Sequence, residues 1–358
     1  MPFVLVSAFV LLAALWMGLQ RAGWELPSVG GITPIAHGGI MVAGFLGSLI
    51  SLERAIALQK KIAYVTPVLN GTGAMLLLLG APALLGKGLL VAGALGFVVL
   101  CLYMISIHPT LDITIMGLGA FALVVANVIW LAGSPVYQCV PWWICFLVLT
   151  IAGERLELSR VLRPTRNTKA LLVTGVFILL LGLVITLFAF ETGVRIAGIG
   201  LASVAVWLIV YDIARKTIRS TGLTRYIAAC LLPGYVWMLL GGVLWIVYAP
   251  YFIGGMYYDA MLHTVFIGFA LSMIFGHAPI ILPAIINIPV IYAPRFYVHL
   301  ILLHSLLLLR ITGDLSLTQS LQQWGALLNV IAVLVFMGNT IFVVRSTLIS
   351  ANNKHAQS

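Results

Sequence analysis

The sequence predicts an all-α membrane protein with about twelve transmembrane helices. Of its 358 residues, 62% are hydrophobic and only 8% are charged, whereas soluble domains carry about 25% charged residues. Apolar runs that reach or approach the ~20 residues needed to cross a bilayer recur along the whole chain. They cover residues 3–20, 34–52, 62–81, 88–107, 112–132, 140–153 (continuing as a helix to about 162), 169–190, 194–214, 225–248, 257–277, 289–309 and 322–344. We therefore expect one polytopic domain over residues 1–349 and a short polar cytoplasmic tail over residues 350–358.

The basic residues indicate how the chain is oriented. If both termini are cytoplasmic, 15 of the 19 Lys and Arg residues fall on the cytoplasmic side, and the outer side keeps only Arg21, Lys87, Arg195 and Arg310. This distribution follows the positive-inside rule. The net charge of +10 is therefore an orientation signal and does not indicate a nucleic-acid partner. It predicts a bacterial inner-membrane location, with anionic lipids bound at the cytoplasmic face.

An internal repeat organises the helices. Span two contains the pattern Phe-Leu-x3-Ile-x2-Glu-Arg, which ends at Glu53 and Arg54, and span six repeats it 101 residues later, ending at Glu154 and Arg155. Span ten has a fainter echo that ends at His277. Since these spans are four helices apart, we predict three tandem four-helix units. We interpret Glu53 with Arg54, and Glu154 with Arg155, as structural ion pairs that close the cytoplasmic helix ends.

Two histidines lie at matching depth near the outer surface. Ionisable residues inside membrane helices are costly and often mark functional sites. His37 and His263 belong to the repeat-equivalent spans two and ten, and a haem iron with two imidazole ligands needs histidines placed in this way. Below His37 the helix face continues through Met41, Gly44 and Ser48, a groove for a haem or a neighbouring helix. We therefore predict a b-type haem between His37 and His263, with Asp259 one turn above His263 to orient its imidazole. Interhelical hydrogen bonding is the alternative role for each histidine.

The cytoplasmic half of the membrane holds a second group of histidines. His277 follows His263 by fourteen residues, or about 21 Å along a helix, and shares its face. His277 and His299 are candidates for a second haem, a copper ion or a proton relay, and interhelical hydrogen bonding is again the alternative. His304 lies ~140° around the helix from His299, so we expect it to be structural and not a ligand of the same metal.

The span count, the three-fold arrangement and the histidine pair on spans two and ten resemble subunit I of haem–copper oxidases. In that family, the low-spin haem is held by histidines on those two helices. The catalytic motifs differ, because the chain has no adjacent His-His pair, and Ala-Gly-Glu-Arg at residues 152–155 replaces the family's Gly-His-Pro-Glu. We therefore expect the oxidase copper centre to be absent or heavily altered.

A second resemblance is to the NnrS family, membrane proteins that contain haem and copper and are associated with nitric oxide stress in bacteria. Residues 262–277 contain His, Gly, Met and Gly-His in the order of that family's late signature, before a span that ends at Arg310. Residues 37–46 are similar to its early histidine helix. The chain has Gly-His-Ala-Pro at residues 276–279, where the family continues Gly-His-Thr-Gly-Arg. The resemblance implies haem b, copper and a link to nitric oxide, whereas a quinone is the partner that the quinol-linked oxidase alternative implies.

Three functions are consistent with these patterns. The first is an integral membrane b-type haem protein with a redox or nitric-oxide-stress role. The second is a quinol-linked oxidase or reductase relative with a further haem or copper near His277 and His299. The third is a proton-coupled twelve-span transporter, although such carriers usually show inverted repeats and the repeat here is parallel. If the protein is an enzyme, we expect an oxidoreductase.

Overall fold

The computed structural model describes residues 2–27, 33–286 and 288–355, and their regular structure is helical throughout. Twelve principal helices follow one another in this part of the chain: α1 Pro2–Arg21, α2 Pro34–Leu58, α3 Val65–Leu78, α4 Ala83–Ile107, α5 Leu111–Leu131, α6 Val136–Leu158, α7 Arg166–Thr186, α8 Phe190–Tyr211, α9 Gly222–Tyr248, α10 Met256–Ile286, α11 Phe296–Leu315 and α12 Gln319–His355. Short helical turns, among them Ser159–Leu162 after α6, lie between some of them.

The predicted all-α membrane architecture is confirmed at this level. Ten helices in the described part of the chain are long and apolar enough to cross a bilayer. The other two principal helices are too short to count among these ten. The apolar part of α1 covers Leu5–Arg21, and α3 has 14 residues. Twelve spans in three four-helix units therefore stays a prediction.

Several helix boundaries differ from the predicted ones, among them the start of α11 and the end of α12. α11 begins at Phe296, seven residues after the expected start at 289. Pro289 and Pro294 account for the delay, because proline lacks an N–H and disfavours helical backbone in the residue before it. At the other end of the chain, α12 continues through His355. Residues 350–355 of the predicted tail thus extend the helix, and residues 356–358 lie outside the described part.

Both helices that carry the predicted haem ligands contain a π-helical segment. In α2 it covers Ile40–Leu46, three residues after His37, and in α10 it covers Thr264–Leu271, directly after His263. A π-helix has more residues per turn than an α-helix, and such segments are frequent at functional sites. The faces predicted from a 3.6-residue period do not hold across them.

The groove predicted below His37 is one of the helix faces that the π-helical segment of α2 alters. Gly44 faces α3, where an added Cβ would lie 2.6 Å from the Cβ of Ala74. Its small size therefore serves helix packing, which was the alternative to a haem groove. Met41, by contrast, lines a cavity beside His37.

The three repeat-equivalent helices meet one another. α6 is the most buried of the ten candidate spans, and it contacts both α2 and α10. α2 and α10 also contact each other through their later halves. Near its start, α2 approaches α6 closely enough that a Cβ on Gly38 would lie 3.7 Å from the Trp143 ring. The histidines of α2 and α10 are thus carried by neighbouring helices.

Candidate functional site

A cavity of about 410 Å³ lies between α1, α2, α6, α10, α11 and α12, and both His37 and His263 line it. Its volume falls within the ~300–1,000 Å³ typical of small-molecule sites. His37 and His263, which the sequence predicts as a pair, therefore line the same cavity.

The cavity lining is apolar along its walls and polar at one end. Aliphatic and aromatic side chains, for example Phe266, Ile267 and Val330, form much of the wall. Arg21, the last residue of α1, and Arg310 also contribute to the lining. The chamber thus suits a largely apolar molecule that carries a negatively charged group.

α1 holds the His37 imidazole in place. The Nδ1 atom of His37 lies 2.6 Å from the carbonyl oxygen of Ala14. Because a carbonyl can only accept, Nδ1 must carry the hydrogen, and the lone pair is left on Nε2. One turn further along α1, an added Cβ on Gly18 would lie 2.9 Å from Cε1 of the same ring. The absence of a side chain at Gly18 makes room for the imidazole.

His263 has the same tautomer. Its Nδ1 lies 3.0 Å from the backbone oxygen of Asp259 and 3.1 Å from its carboxylate Oδ1, and both are acceptors. Asp259 is in turn held by Arg310, whose Nε and Nη2 donate to the two carboxylate oxygens at 2.7 and 2.8 Å. Nη2 of Arg310 also lies 3.4 Å from Nε2 of His263, a long and weak contact. Asp259 thus occupies the position from which it can orient His263.

His299 and His304 have both ring nitrogens engaged. The amide nitrogen of Asn339 donates to Nδ1 of His299 at 3.2 Å, so Nε2 carries the hydrogen and donates to the Tyr226 hydroxyl at 2.9 Å. His304 accepts from the Trp237 indole at Nδ1, at 3.0 Å, and Ser272 lies 3.3 Å from its Nε2. These contacts use the atoms that a metal would need.

His277 and His299 form their described hydrogen bonds with different partners. Nδ1 of His277 lies 2.7 Å from the carbonyl oxygen of Met273 on its own helix, which leaves its Nε2 lone pair available. A metal shared by His277 and His299 therefore stays a prediction, and the engaged ring nitrogens of His299 do not favour it. Within residues 2–27, 33–286 and 288–355, no group of three or more His, Cys, Asp or Glu side chains could hold a metal ion. A bis-imidazole haem needs only two protein ligands, because the macrocycle supplies the other four.

Of the two predicted Glu-Arg ion pairs, Glu53 with Arg54 is present, and Glu154 with Arg155 is replaced by other pairings. Glu154 of α6 binds Arg54 of α2, which also approaches Glu53 at 3.7 Å. Arg155 forms two hydrogen bonds, at 2.7 and 3.0 Å, with Asp212 after α8. The pairing of Glu154 with Arg155 is thus wrong. The reason is geometric, since adjacent residues on a helix point in different directions and reach different neighbours.

The contribution of α1 is not predictable from the sequence patterns. The contact between His37 and Ala14 uses a backbone carbonyl, for which no residue type gives a signal. Gly18 gives a weak signal, because a glycine inside an apolar helix often marks a close approach. Arg310 marks only the end of a span in the sequence, whereas in three dimensions it is the partner of Asp259.

One known family includes this chain. A family model described as a domain of unknown function, DUF8744, matches residues 1–345. The chain belongs to the DUF8744 family. No curated protein and no solved structure matches this member of DUF8744.

Proposed function

We propose that this DUF8744 protein is an integral membrane b-type haem protein in which His37 and His263 bind the iron from opposite sides. One observation carries the proposal: the two imidazoles line one cavity, and each is held through Nδ1 by an oxygen acceptor. Histidine ligands of metals almost always use their second nitrogen in this way, which fixes the tautomer and the ring orientation. Both Nε2 lone pairs then remain for the iron.

The lining of the cavity fits the rest of the cofactor. The apolar walls suit the macrocycle, and Arg21 offers positive charge for its carboxylates, whereas the charge of Arg310 is paired with that of Asp259. The long contact between Arg310 and Nε2 of His263 would be given up on binding, whereas the Asp259 contacts at Nδ1 would remain. When bound, the haem supplies a one-electron redox couple.

Two histidine ligands favour electron transfer as the role. An iron held by these two imidazoles would supply one-electron redox chemistry and would leave no free position for a gas such as nitric oxide. The resemblance to the NnrS family supports a role in nitric oxide stress, with a quinone as electron partner and copper as a second metal. The basic-residue distribution supports the bacterial inner membrane and cytoplasmic termini. We extend the proposal to twelve spans in three four-helix units, as in oxidase subunit I.

The test is the absorption spectrum of the full-length protein purified after expression with ample haem supply. Wild type should show the sharp α and β bands of a reduced six-coordinate haem. The His37→Ala and His263→Ala variants should each become high-spin or lose the haem. His304→Ala, whose ring nitrogens are engaged elsewhere, and His108→Ala, at an exposed position, should keep the wild-type spectrum.

Two outcomes contradict the proposal. Correctly inserted His37→Ala and His263→Ala proteins with wild-type haem content and spectra would refute the ligand assignment. A wild-type protein without haem would refute the function, and the proton-coupled transporter would take its place. Copper content measured in the same preparation tests the second metal separately.

A further inference from the structure

The later part of α12 carries a groove on its exposed side. The groove, called here the α12 groove, has a volume of about 470 Å³ and is lined by Gly338, Ile341, Phe342, Arg345, Ser346 and Ile349. These residues recur every three or four positions, so they form one stripe along the helix. A Cβ added to Gly338 would meet nothing within 4 Å, which makes an open notch at one end of the stripe. Ile341, Phe342 and Ile349 are each more than half exposed.

Two arginines border this stripe. Arg345 lies within it and is exposed. Arg295, at the start of α11, places its guanidinium 4.2 Å from the centre of the Phe342 ring. The Nε atom of Arg295 is buried, and it has no hydrogen-bond partner among the described residues. A buried polar donor without a partner is costly, so the contacts described for Arg295 leave a donor to be satisfied.

No acidic side chain pairs with these arginines in the described part of the chain. From residue 260 to the last residue, the sequence contains a single acidic residue, Asp314. Asp314 lies at the opposite end of α11 from Arg295. The positive charge beside the α12 groove therefore calls for an anion from outside the chain.

We propose that the α12 groove binds one anionic phospholipid from the adjoining leaflet. An arginine side chain presents its N–H groups in a fixed fork that matches phosphate oxygens, and Arg295 and Arg345 supply two such forks. The apolar stripe along Ile341, Phe342 and Ile349 takes an acyl chain, and the Gly338 notch gives that chain room. Because α12 is the least buried of the ten candidate spans, a lipid reaches this face without displacing another helix.

The test measures lipid binding to the purified full-length protein by native mass spectrometry, with phosphatidylglycerol as the anionic probe and phosphatidylcholine as the neutral one. Wild type should bind one phosphatidylglycerol with clear preference over phosphatidylcholine. A basic residue near a membrane surface contributes an attraction that corresponds to about fivefold in affinity. The Arg345→Gln variant should therefore lose about fivefold, and Arg295→Gln with Arg345→Gln roughly 25-fold. Gly338→Leu, which fills the notch and leaves the charge unchanged, should also weaken binding.

The matched control replaces two exposed arginines elsewhere, Arg166→Gln with Arg219→Gln, and should keep wild-type affinity. If the control loses as much affinity for phosphatidylglycerol as Arg295→Gln with Arg345→Gln does, the effect comes from net charge alone and the proposal is overturned. Equal binding of the two lipids by wild type, or unchanged binding by the Arg345→Gln and Gly338→Leu variants, would also overturn it. So would full displacement of the lipid by millimolar inorganic phosphate, which would indicate a site for free phosphate. The single-residue variants change exposed or open positions, so the test does not depend on the double variant's folding.

Discussion

Arg310 of α11 holds both carboxylate oxygens of Asp259 on α10, at 2.7 and 2.8 Å. Asp259 faces His263 one turn later on the same helix, and its Oδ1 lies 3.1 Å from Nδ1 of the imidazole. The orientation of a candidate haem ligand thus depends on a helix that starts 33 residues after it in the sequence. Arg310 thus positions this carboxylate, and it also lines the cavity itself.

Replacing Asp259 by Asn tests this arrangement. The backbone oxygen of Asp259 still accepts from His263, so the tautomer and the six-coordinate spectrum should be kept at saturating haem. The imidazole loses a carboxylate partner, and such losses typically weaken metal binding by about 10–100-fold. We expect that loss in haem affinity, and a higher midpoint potential, because the less electron-rich imidazole stabilises ferric iron less. Haem titration and redox titration measure the two values. The control, Glu191→Gln, removes the same charge from an exposed ion pair and should change neither the haem affinity nor the midpoint potential. If Asp259→Asn keeps the wild-type affinity and potential, the role of Asp259 is refuted.

Replacing Gly18 by Ala tests the role of α1. The added Cβ would lie 2.9 Å from Cε1 of His37, and overfilling a packed site costs about 1–3 kcal/mol. If that cost is borne by the haem-bound state, haem affinity should fall by about tenfold or more, with part of the haem high-spin.

Gly88→Ala is the control for the change at Gly18. An added Cβ at Gly88 meets nothing within 4 Å, and both substitutions raise helix propensity equally. Gly88→Ala should therefore bind haem like wild type. Identical haem spectra and affinities for the two alanine variants would show that α1 does not constrain His37.

The pair of Arg155 and Asp212 should contribute strongly to stability. Their side chains are 4% and 0% exposed, and removing one partner of a buried ion pair costs roughly 3–5 kcal/mol. Asp212→Asn should lower the free energy of unfolding in detergent by that amount, because Arg155 would stay buried without its counter-charge. Adding Arg155→Met should recover part of the loss. The control, Glu191→Gln, breaks an exposed pair with Arg195 and should lower the free energy of unfolding by at most about 1 kcal/mol. If Asp212→Asn lowers it by no more than this control does, the buried pair is not structural.

Reporter fusions test the orientation. A fusion in the loop after α6, near Pro164, should be cytoplasmic, because five basic residues follow Glu154 up to Lys169. A fusion after α9, near Gly254, should be periplasmic. Alkaline phosphatase and a cytoplasm-active fluorescent protein at both positions measure the two locations. The opposite pattern at both sites would reverse the topology and remove the reason to place the haem in the outer half of the membrane.

The sequence alone determined that the protein lies in a lipid bilayer and that its structure is all-α. Apolar composition is a collective property that survives errors in single residues, so the all-α membrane architecture follows from it directly. Depth along a span is also countable, because helix rise is constant. Matched depth, together with placement on repeat-equivalent helices, therefore pairs His37 with His263 as a prediction, and both histidines line one cavity.

Tertiary structure decided which polar groups meet. Arg155 reaches Asp212 across 57 residues of sequence, and Glu154 reaches back to Arg54 on α2, although each has a charged neighbour on its own helix. The His37 imidazole depends on a backbone carbonyl of α1, and the π-helical segments beside both histidines change which residues share a face. Burial excludes water, so a buried polar group gains from a partner inside the bundle, and that partner is set by the packing of helices distant in the chain.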